Sequence, residues 1–372
     1  MSGFDVLVAG GGPAGAAAAL TLLRYSRLRV AMVEEGGYDA ERVGETIPPG
    51  VLPLLAYLGV DEAFRADGHR PAYASRAAWG APHAVTRDFL FTGRGDGWHL
   101  DRSRFDRTLA ERVGAAGGTV LSPARVTRCE GEPGAWRVRV SGRGGRPAEV
   151  GARYVVDATG KRASLARRLG ARRQVHDRLV GVTTYWAGQG GDRAPATLVE
   201  SVRDGWWYSA VLPDGRLVAA LMTDVEVVRS LGLHRAEALE EALGEAPLSR
   251  ERLAGTRPSG PPVVRPAHCQ LLRPALGDGW IAAGDAAASF DPLSSMGIGH
   301  ALSSGIQAAR VAHDALEHGG TLGTGYDAAV ARHFGEFLAL RRAHYSAERR
   351  WPDSPFWSVR QGAAAPVPGG RG

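Results

Sequence analysis

Three glycines at the end of an apolar run are the first residues whose spacing could do chemistry. The stretch VLVAGGGPAG places Gly10, Gly12 and Gly15 at Gly-x-Gly-x-x-Gly spacing, with Pro13 and Ala14 inside it. Glycine allows a tight turn and close approach of a pyrophosphate. A helix opening there offers free N–H groups and the positive end of its dipole to phosphates. Glu34 follows at the spacing where an acid bonds a ribose hydroxyl, which favours an unphosphorylated ribose, as in FAD or NAD.

Such a turn works only between a strand and a helix. Phe4–Ala9 reads as a buried parallel strand, Ala14–Tyr25 as a helix and Arg29–Glu34 as a second strand. Together they form a right-handed βαβ unit. Pro48–Leu58 opens a short helix. Ser103–Ala116, with Phe105, Leu109 and Val113 four apart, is a longer one. Thr119–Cys129 and Trp136–Val140 alternate as strands, and Arg153–Ala158 is another buried strand. The texture then changes. Val180–Trp186, Thr197–Val202, Trp207–Leu212 and Arg216–Met222 are strand-like runs between Gly, Asp and Pro turns, which reads as an antiparallel sheet. Arg235–Leu243 is a helix, Trp280–Ala283 a buried strand, and Ile298–Leu316 and Ala328–Arg350 are helices. The tail after Gln361 is low in complexity and reads as disordered.

Two further segments give the first motif its company. VVDATGKRASLAR (155–167) and GDAAASFDPLSSMGIG (284–299) resemble the nucleotide segments of glutathione-reductase-type flavoproteins of the aromatic-hydroxylase branch. Order and spacing agree across essentially the whole chain. The resemblance implies FAD, with Asp285 on its ribityl chain and residues 291–299 beside the isoalloxazine ring. It thereby nominates Asp157, Gly160, Gly284, Asp285, Pro292, Gly297, Ile298 and Gly299 as cofactor contacts, with Ala158 standing where the family has Gly. HLDRSRFDRTL places Arg102, Phe105 and Leu109 at the family's R-x-x-[LF]-x-x-x-L spacing, and the matching arginine contacts FAD. RVGETIPPG resembles the Gly-Glu-[Ser/Thr] turn of flavin halogenases, which implies Arg42 at the pyrophosphate and Glu45 near the flavin. Glu35 and Val126 complete the implied contacts. The physics agrees: a reduced flavin is negative near N1 and its C2 carbonyl, and N–H groups at Met296–Ile298 heading a helix favour that charge.

The implied fold class is α/β, a glutathione-reductase-type FAD-binding fold with an inserted, mostly antiparallel substrate sheet and C-terminal helices. Residues 1–70, 100–178 and 274–320 would form the FAD-binding domain, and 71–99 and 179–273 the substrate domain. Residues 321–360 would form a C-terminal helical segment and 361–372 a disordered tail.

The sequence narrows the chemistry further. No second Gly-x-Gly-x-x-Gly follows a strand, so there is no dedicated nicotinamide domain, and without Cys-x-x-Cys dithiol chemistry has no carrier. Electrons must come from transient NAD(P)H or from a partner flavin reductase. In the hydroxylase branch the reduced flavin reacts with O2 to give a C4a-hydroperoxyflavin. GRGDGWHLDRSRFD, DGWWYSAVLPDGR and YSAERRWPDSPFW resemble a tryptophan-halogenase-like group. That group includes flavoproteins that oxidise residues of partner proteins while quinone cofactors mature. The resemblance implies an FAD-dependent monooxygenase hydroxylating an indole- or phenol-type aromatic, free or borne on a peptide or precursor protein. Trp98, Trp206, Trp207 and Tyr208 are candidates for the substrate pocket. Strand alternation puts Trp206 and Tyr208 on one face and Trp207 on the other. His99, as an acid–base group, and Glu45 are the catalytic candidates.

Three rival readings stand beside this one. Halogenases of the group use a lysine and a Trp-x-Trp-x-Ile-Pro signature. Here the only lysine, Lys161, lies inside a cofactor segment, out of reach of a distant pocket, and Trp206–Pro213 fits the signature poorly. Prenyl double-bond reductases of the geranylgeranyl reductase type share a similar DR-x-x-FD stretch. A non-catalytic FAD-bound scaffold could dock a partner through Trp351, Phe356 and Trp357, unless these pack the last helix.

Composition bounds the rest. The 372 residues carry a net charge of +6 with no block of like charges, so no nucleic-acid stripe is expected. No apolar run reaches the roughly 18 residues of a membrane span. No secretory signal opens the chain, and a cytoplasmic protein is expected. Cys129 and Cys269 lack metal spacing and read as reduced, partly buried thiols; no metal is implied.

Overall fold

The computed structural model describes residues 3–142 and 147–362. The glycine-tipped first strand, Gly3–Ala9, lies at the centre of an eight-stranded sheet. It runs parallel to Ala148–Asp157 on one side and Val30–Val33 on the other. Val6, Leu7 and Val8 are fully buried, as expected of a strand covered on both faces. The helices Pro13–Tyr25 and Gly297–Glu317 pack together on one face through small side chains. Ala16–Ala19, Ala308, Ala309 and Ala312 are fully enclosed there. A Cβ at Gly305 would fall 2.2 Å from the Ala14 carbonyl, so glycine sets the depth of this approach.

A second eight-stranded sheet carries the four strand-like runs predicted between 180 and 222. They appear as Leu179–Ala187, Ala196–Val202, Gly205–Val211 and Leu217–Asp224. The sheet is antiparallel except where Ala196–Val202 runs parallel to Ala74–Ala78. One face is covered by the short helices Val225–Leu231, Ala236–Leu243 and Pro247–Leu253 over a core containing Trp207, Leu221 and Leu253. The other face meets the cleft and the C-terminal helices Tyr326–Ala347 and Pro355–Gln361. Tyr345, Phe356 and Trp357 are buried against Leu179 and Trp206, so Phe356 and Trp357 pack the chain end rather than present a docking face. Trp351 packs against the same cluster. Among the described residues no helix is long and apolar enough to cross a membrane.

Several boundaries differ from those read in the sequence. The expected strand Thr119–Cys129 is two strands, Thr119–Leu121 in the parallel sheet and Ala124–Glu132 in an antiparallel hairpin. Pro123, which has no N–H to give a ladder, marks the break. The helix expected from Pro48 begins at Leu52, after Gly50 at φ +96°. Residues 71–99 do not all join one sheet. Ala74–Ala78 and Val85–Asp88 join the second sheet, whereas Gly97–His99 pairs with Thr46–Ile47 and Arg70–Ala72 in a small sheet beside the cleft. Gln361 ends the last helix and its amide donates to the Tyr345 and Glu348 carbonyls, so the expected tail does not start there. Residues 363–372 lie outside the described residues.

Candidate active site

A cleft of about 800 Å³ runs between the two sheets, and all three glycine-rich segments reach it. Gly10, Gly12, Pro13 and Ala14 wall one part, Ala158–Lys161 another, and Asp285, Pro292, Gly297 and Ile298 a third.

The first turn shows why each glycine is needed. Gly10 has φ +105°, and a Cβ there would lie 2.2 Å from the Ala158 carbonyl oxygen. A Cβ on Gly15 would sit 1.8 Å from the Gly10 oxygen, so Gly15 closes the turn rather than lining the cleft. Gly12 is different: its Cβ would meet nothing within 4 Å, on the side open to the cleft. The helix behind it has no side-chain cap and no acid in its first turn. Its free N–H groups therefore face a cradle that fits a phosphate pair.

Glu34 walls the cleft and is buried. One oxygen accepts from the Gly11 N–H at 2.7 Å, the other from Arg42 at 2.7 Å and the Gly36 N–H at 3.0 Å. Glu35 and Val126 line the same end. Arg42 and Arg102 both wall the cleft and share the fully buried Asp106, at 3.0 and 3.2 Å. Arg102 also donates to the Val43 and Gly44 carbonyls, which fixes the turn leading to Glu45.

Asp157 corrects an expectation. It does not wall the cleft; its buried carboxylate accepts from the Thr159 N–H and hydroxyl and from the N–H groups of Leu165 and Ala166. It caps the helix Ser164–Arg168 and holds the turn that presents Ala158, Thr159, Gly160 and Lys161. Gly284 and Gly299 likewise support rather than wall. Gly284, at φ +60°, lets the chain pass Ala14, and Gly299 faces Val51. The Asp285 side chain lines the cleft, with the Lys161 ammonium 3.9 Å away. Lys161 also donates to the His268 carbonyl at 2.9 Å. The lysine expected to be out of reach of the pocket thus lies in its wall, because cofactor segment and pocket share one cleft.

The loop entering the next helix is held from behind. Asp291 is buried and accepts from the Leu293 N–H at 3.0 Å, Arg341 at 2.8 Å and the Tyr345 hydroxyl at 2.9 Å. Tyr345 in turn accepts from the Trp206 indole N–H at 3.0 Å. The helix Gly297–Glu317 starts with no side-chain cap and no acid in its first turn, and Gly297 and Ile298 present its N-terminus to the cleft.

The second sheet supplies the opposite wall: Gly181, Thr183, Trp206, Tyr208, Val218, Ala220 and Met222. Trp207 is not part of it. It points to the other face and packs in the core under the short helices, as strand alternation requires. Trp98 is also absent from the wall and packs edge-on to Phe64 at 5.3 Å. His99 is fully buried away from the cleft, its Nδ1 hydrogen-bonded to the Val211 carbonyl at 2.9 Å, and burial lowers its pKa to about 4. A neutral, enclosed imidazole of that kind has no reach to a substrate. Glu45 does wall the cleft. It is enclosed, and burial pushes its carboxyl up to about 7. Its neighbour Thr46 shares a 2.5 Å hydrogen bond with Tyr208. Thr46, Asp291 and Tyr345 lie in stretches that the sequence analysis quotes but were given no role of their own there, and Arg341 lies in none of them. Asp291 had a signal in its Phe-Asp-Pro turn and Tyr345 in the stretch YSAERRWPDSPFW, but the contact of Arg341 and Tyr345 with Asp291 appears only when the fold brings them to it.

Comparison with known proteins agrees with this arrangement. Residues 3–219 match the family described as FAD binding domain. The Marinomonas mediterranea protein LodB, named as an FAD-dependent oxidoreductase, is 32% identical over 371 residues, covering 98% of this chain and 99% of its own. A 1H-pyrrole-2-carbonyl-[peptidyl-carrier protein] chlorinase of Pseudomonas fluorescens is 27% identical, over 81% of this chain and 74% of its own. Among solved structures, the flavin-dependent halogenase CmlS superposes with a TM-score of 0.87 at 26% identity, over 97% of this chain and 68% of its own. The peptidyl tryptophan dihydroxylase QhpG superposes with 0.72 at 27% identity, over 97% and 79%. With the family match spanning more than half of the chain and the LodB match nearly all of it, the chain belongs to the FAD-binding-domain family and is an FAD-dependent oxidoreductase.

Proposed function

We propose that this oxidoreductase is a monooxygenase that hydroxylates an aromatic ring of the indole or phenol type, carried free or on a peptide. The observation that carries the reading is that Trp206 and Tyr208 share one sheet face on the same cleft as the dinucleotide cradle. FAD, when bound, supplies the redox chemistry, with electrons from NAD(P)H or a partner flavin reductase and oxygen from O2. The residues present fit it. The N–H groups behind Gly12 take the pyrophosphate, Glu34 a ribose hydroxyl and Asp285 the ribityl chain. The helix end at Gly297–Ile298 favours negative charge beside it. The partly exposed Tyr208 offers a ring face on which an aromatic can stack, Trp206 is enclosed in the same wall, and Val218, Ala220 and Met222 make that part of the cleft apolar, which excludes water. The name and likeness of the peptidyl tryptophan dihydroxylase support a side chain on a protein as one form of the substrate.

The likeness to halogenases favours a second reading, halogenation. Lys161 is the one lysine available to it, and its ammonium is already engaged by the His268 carbonyl and Asp285. Incubation with reduced FAD, O2, bromide and candidate indoles and phenols, and in a parallel run with a prenyl lipid in their place, tests both. Oxygen uptake that yields a product heavier by one oxygen supports hydroxylation. A brominated product supports halogenation, and saturation of a prenyl chain without oxygen uptake would overturn both.

A further inference from the structure

Glu45 is a buried acid at the cleft wall with no cation of its own. The residue is 4% exposed, and its Oε1 is enclosed without any hydrogen-bond partner. Arg102, the nearest cation, is taken up by Asp106 and the Val43 and Gly44 carbonyls. The Glu45 and Gly44 backbone N–H groups and the Arg102 charge favour its ionised form, but burial outweighs them; Glu41 from the same loop repels it, and His99 on the paired strand is neutral. Tyr185 and Tyr208, from the facing sheet, keep their protons well above the ordinary phenol range, with burial the first cause and the Glu45 charge the second. Tyr208 makes its hydrogen bond to Thr46 instead. A buried oxygen left unpaired is costly, and a ligand that donates to it recovers that cost.

The position of this oxygen matters. Glu45 precedes Thr46, which is hydrogen-bonded to Tyr208, and Tyr208 and Trp206 form the aromatic side of the same wall. The Glu45 charge reaches the Tyr208 hydroxyl across the same cleft, so an aromatic lying against Tyr208 can bring its edge to the Glu45 carboxyl. We propose that Glu45 selects the substrate by accepting a hydrogen bond from a ring-borne N–H or O–H, so that indoles and phenols are bound and the same rings without that hydrogen are rejected. This rests on the proposed aromatic hydroxylation and adds to it a specificity-determining residue.

The test compares indole with 1-methylindole on the FAD-loaded protein, reading binding from the perturbed flavin absorbance and turnover from product mass. Wild type is expected to prefer indole by about 10- to 100-fold, the ratio that an unpaired buried polar group imposes. Glu45→Gln keeps an acceptor oxygen and is expected to keep the preference. Glu45→Leu is expected to lose it while binding 1-methylindole as well as wild type does. Equal binding of the two rings by wild type, or an undiminished preference in Glu45→Leu, overturns the proposal. So does a Glu45→Leu protein whose sole defect is weaker FAD binding, since Glu45 would then serve the cofactor. Hydroxylation of both rings alike by wild type sinks only the role of Glu45. Failure to hydroxylate any aromatic sinks the function on which it rests.

Discussion

The Tyr345 hydroxyl donates to Asp291 at 2.9 Å and so ties the last long helix to the loop that enters the cleft. The same hydroxyl accepts from Trp206, a residue of the cleft wall, and Arg341 neutralises Asp291 from the next turn of the helix. Three parts of the chain far apart in sequence are thus locked at one buried carboxylate. Replacing Tyr345 by Phe leaves the Trp206 N–H without a partner. A loss of about 1–3 kcal/mol in urea-induced unfolding is expected. Unchanged stability would mean that the network does not hold the wall.

The glycines of the first turn separate folding from binding. Gly15→Ala places a Cβ 1.8 Å from the Gly10 oxygen and is expected to lower the melting temperature of the FAD-free protein sharply. Gly12→Ala meets nothing within 4 Å and is expected to leave that temperature unchanged while weakening FAD binding, because the methyl enters the phosphate cradle. Calorimetry of the apo proteins and flavin fluorescence titrations measure the two effects. Tight FAD binding by Gly12→Ala would displace the phosphates from this turn.

Asp285 is the carboxylate assigned to the ribityl chain. Its side chain is 38% exposed and paired only loosely with Lys161, so removing it should not disturb the fold. Asp285→Ala is expected to purify with a native circular dichroism spectrum and a reduced ratio of flavin to protein. An unchanged ratio would remove the assignment.

Glu45 makes stability depend on pH in the less common direction for an acid. Burial raises its pKa from 4.5 to about 7, so the folded state holds the proton more tightly than the unfolded chain. Its contribution is favourable while both states are protonated and is lost as pH climbs from 4.5 to about 7. The loss is about 3 kcal/mol at full ionisation. Glu45→Gln is therefore expected to stabilise the FAD-free protein at about pH 8 and to give no gain at about pH 4, read as the change in denaturation midpoint. A gain equal at both pH values would show that the carboxyl is not enclosed as described.

What could be read in the sequence was local. The Gly10–Gly15 turn declared itself because its demand for glycine is steric and confined to a few residues. The strand alternation that sends Trp206 and Trp207 to opposite faces was visible for the same reason. Which face would meet the cleft depended on long-range packing. Trp98 and His99 stand next to the cofactor-like stretch in sequence, yet the small sheet with Thr46–Ile47 turns both away from the cleft. Asp157 had the right residue type, but its role as a helix cap follows from Ser164–Arg168 folding back onto it. The bonds of Tyr345 and Arg341 to Asp291 became legible only once the C-terminal helix was seen to pack beside the sheet, although Tyr345 itself opens the quoted stretch YSAERRWPDSPFW.

The most direct measurement supplies the reduced, FAD-loaded protein with isotopically labelled dioxygen and an indole or phenol, and weighs the product. Hydroxylation at this cleft requires one labelled oxygen atom in the ring. Unlabelled product, or oxygen reduced to hydrogen peroxide with every aromatic left intact, would contradict it.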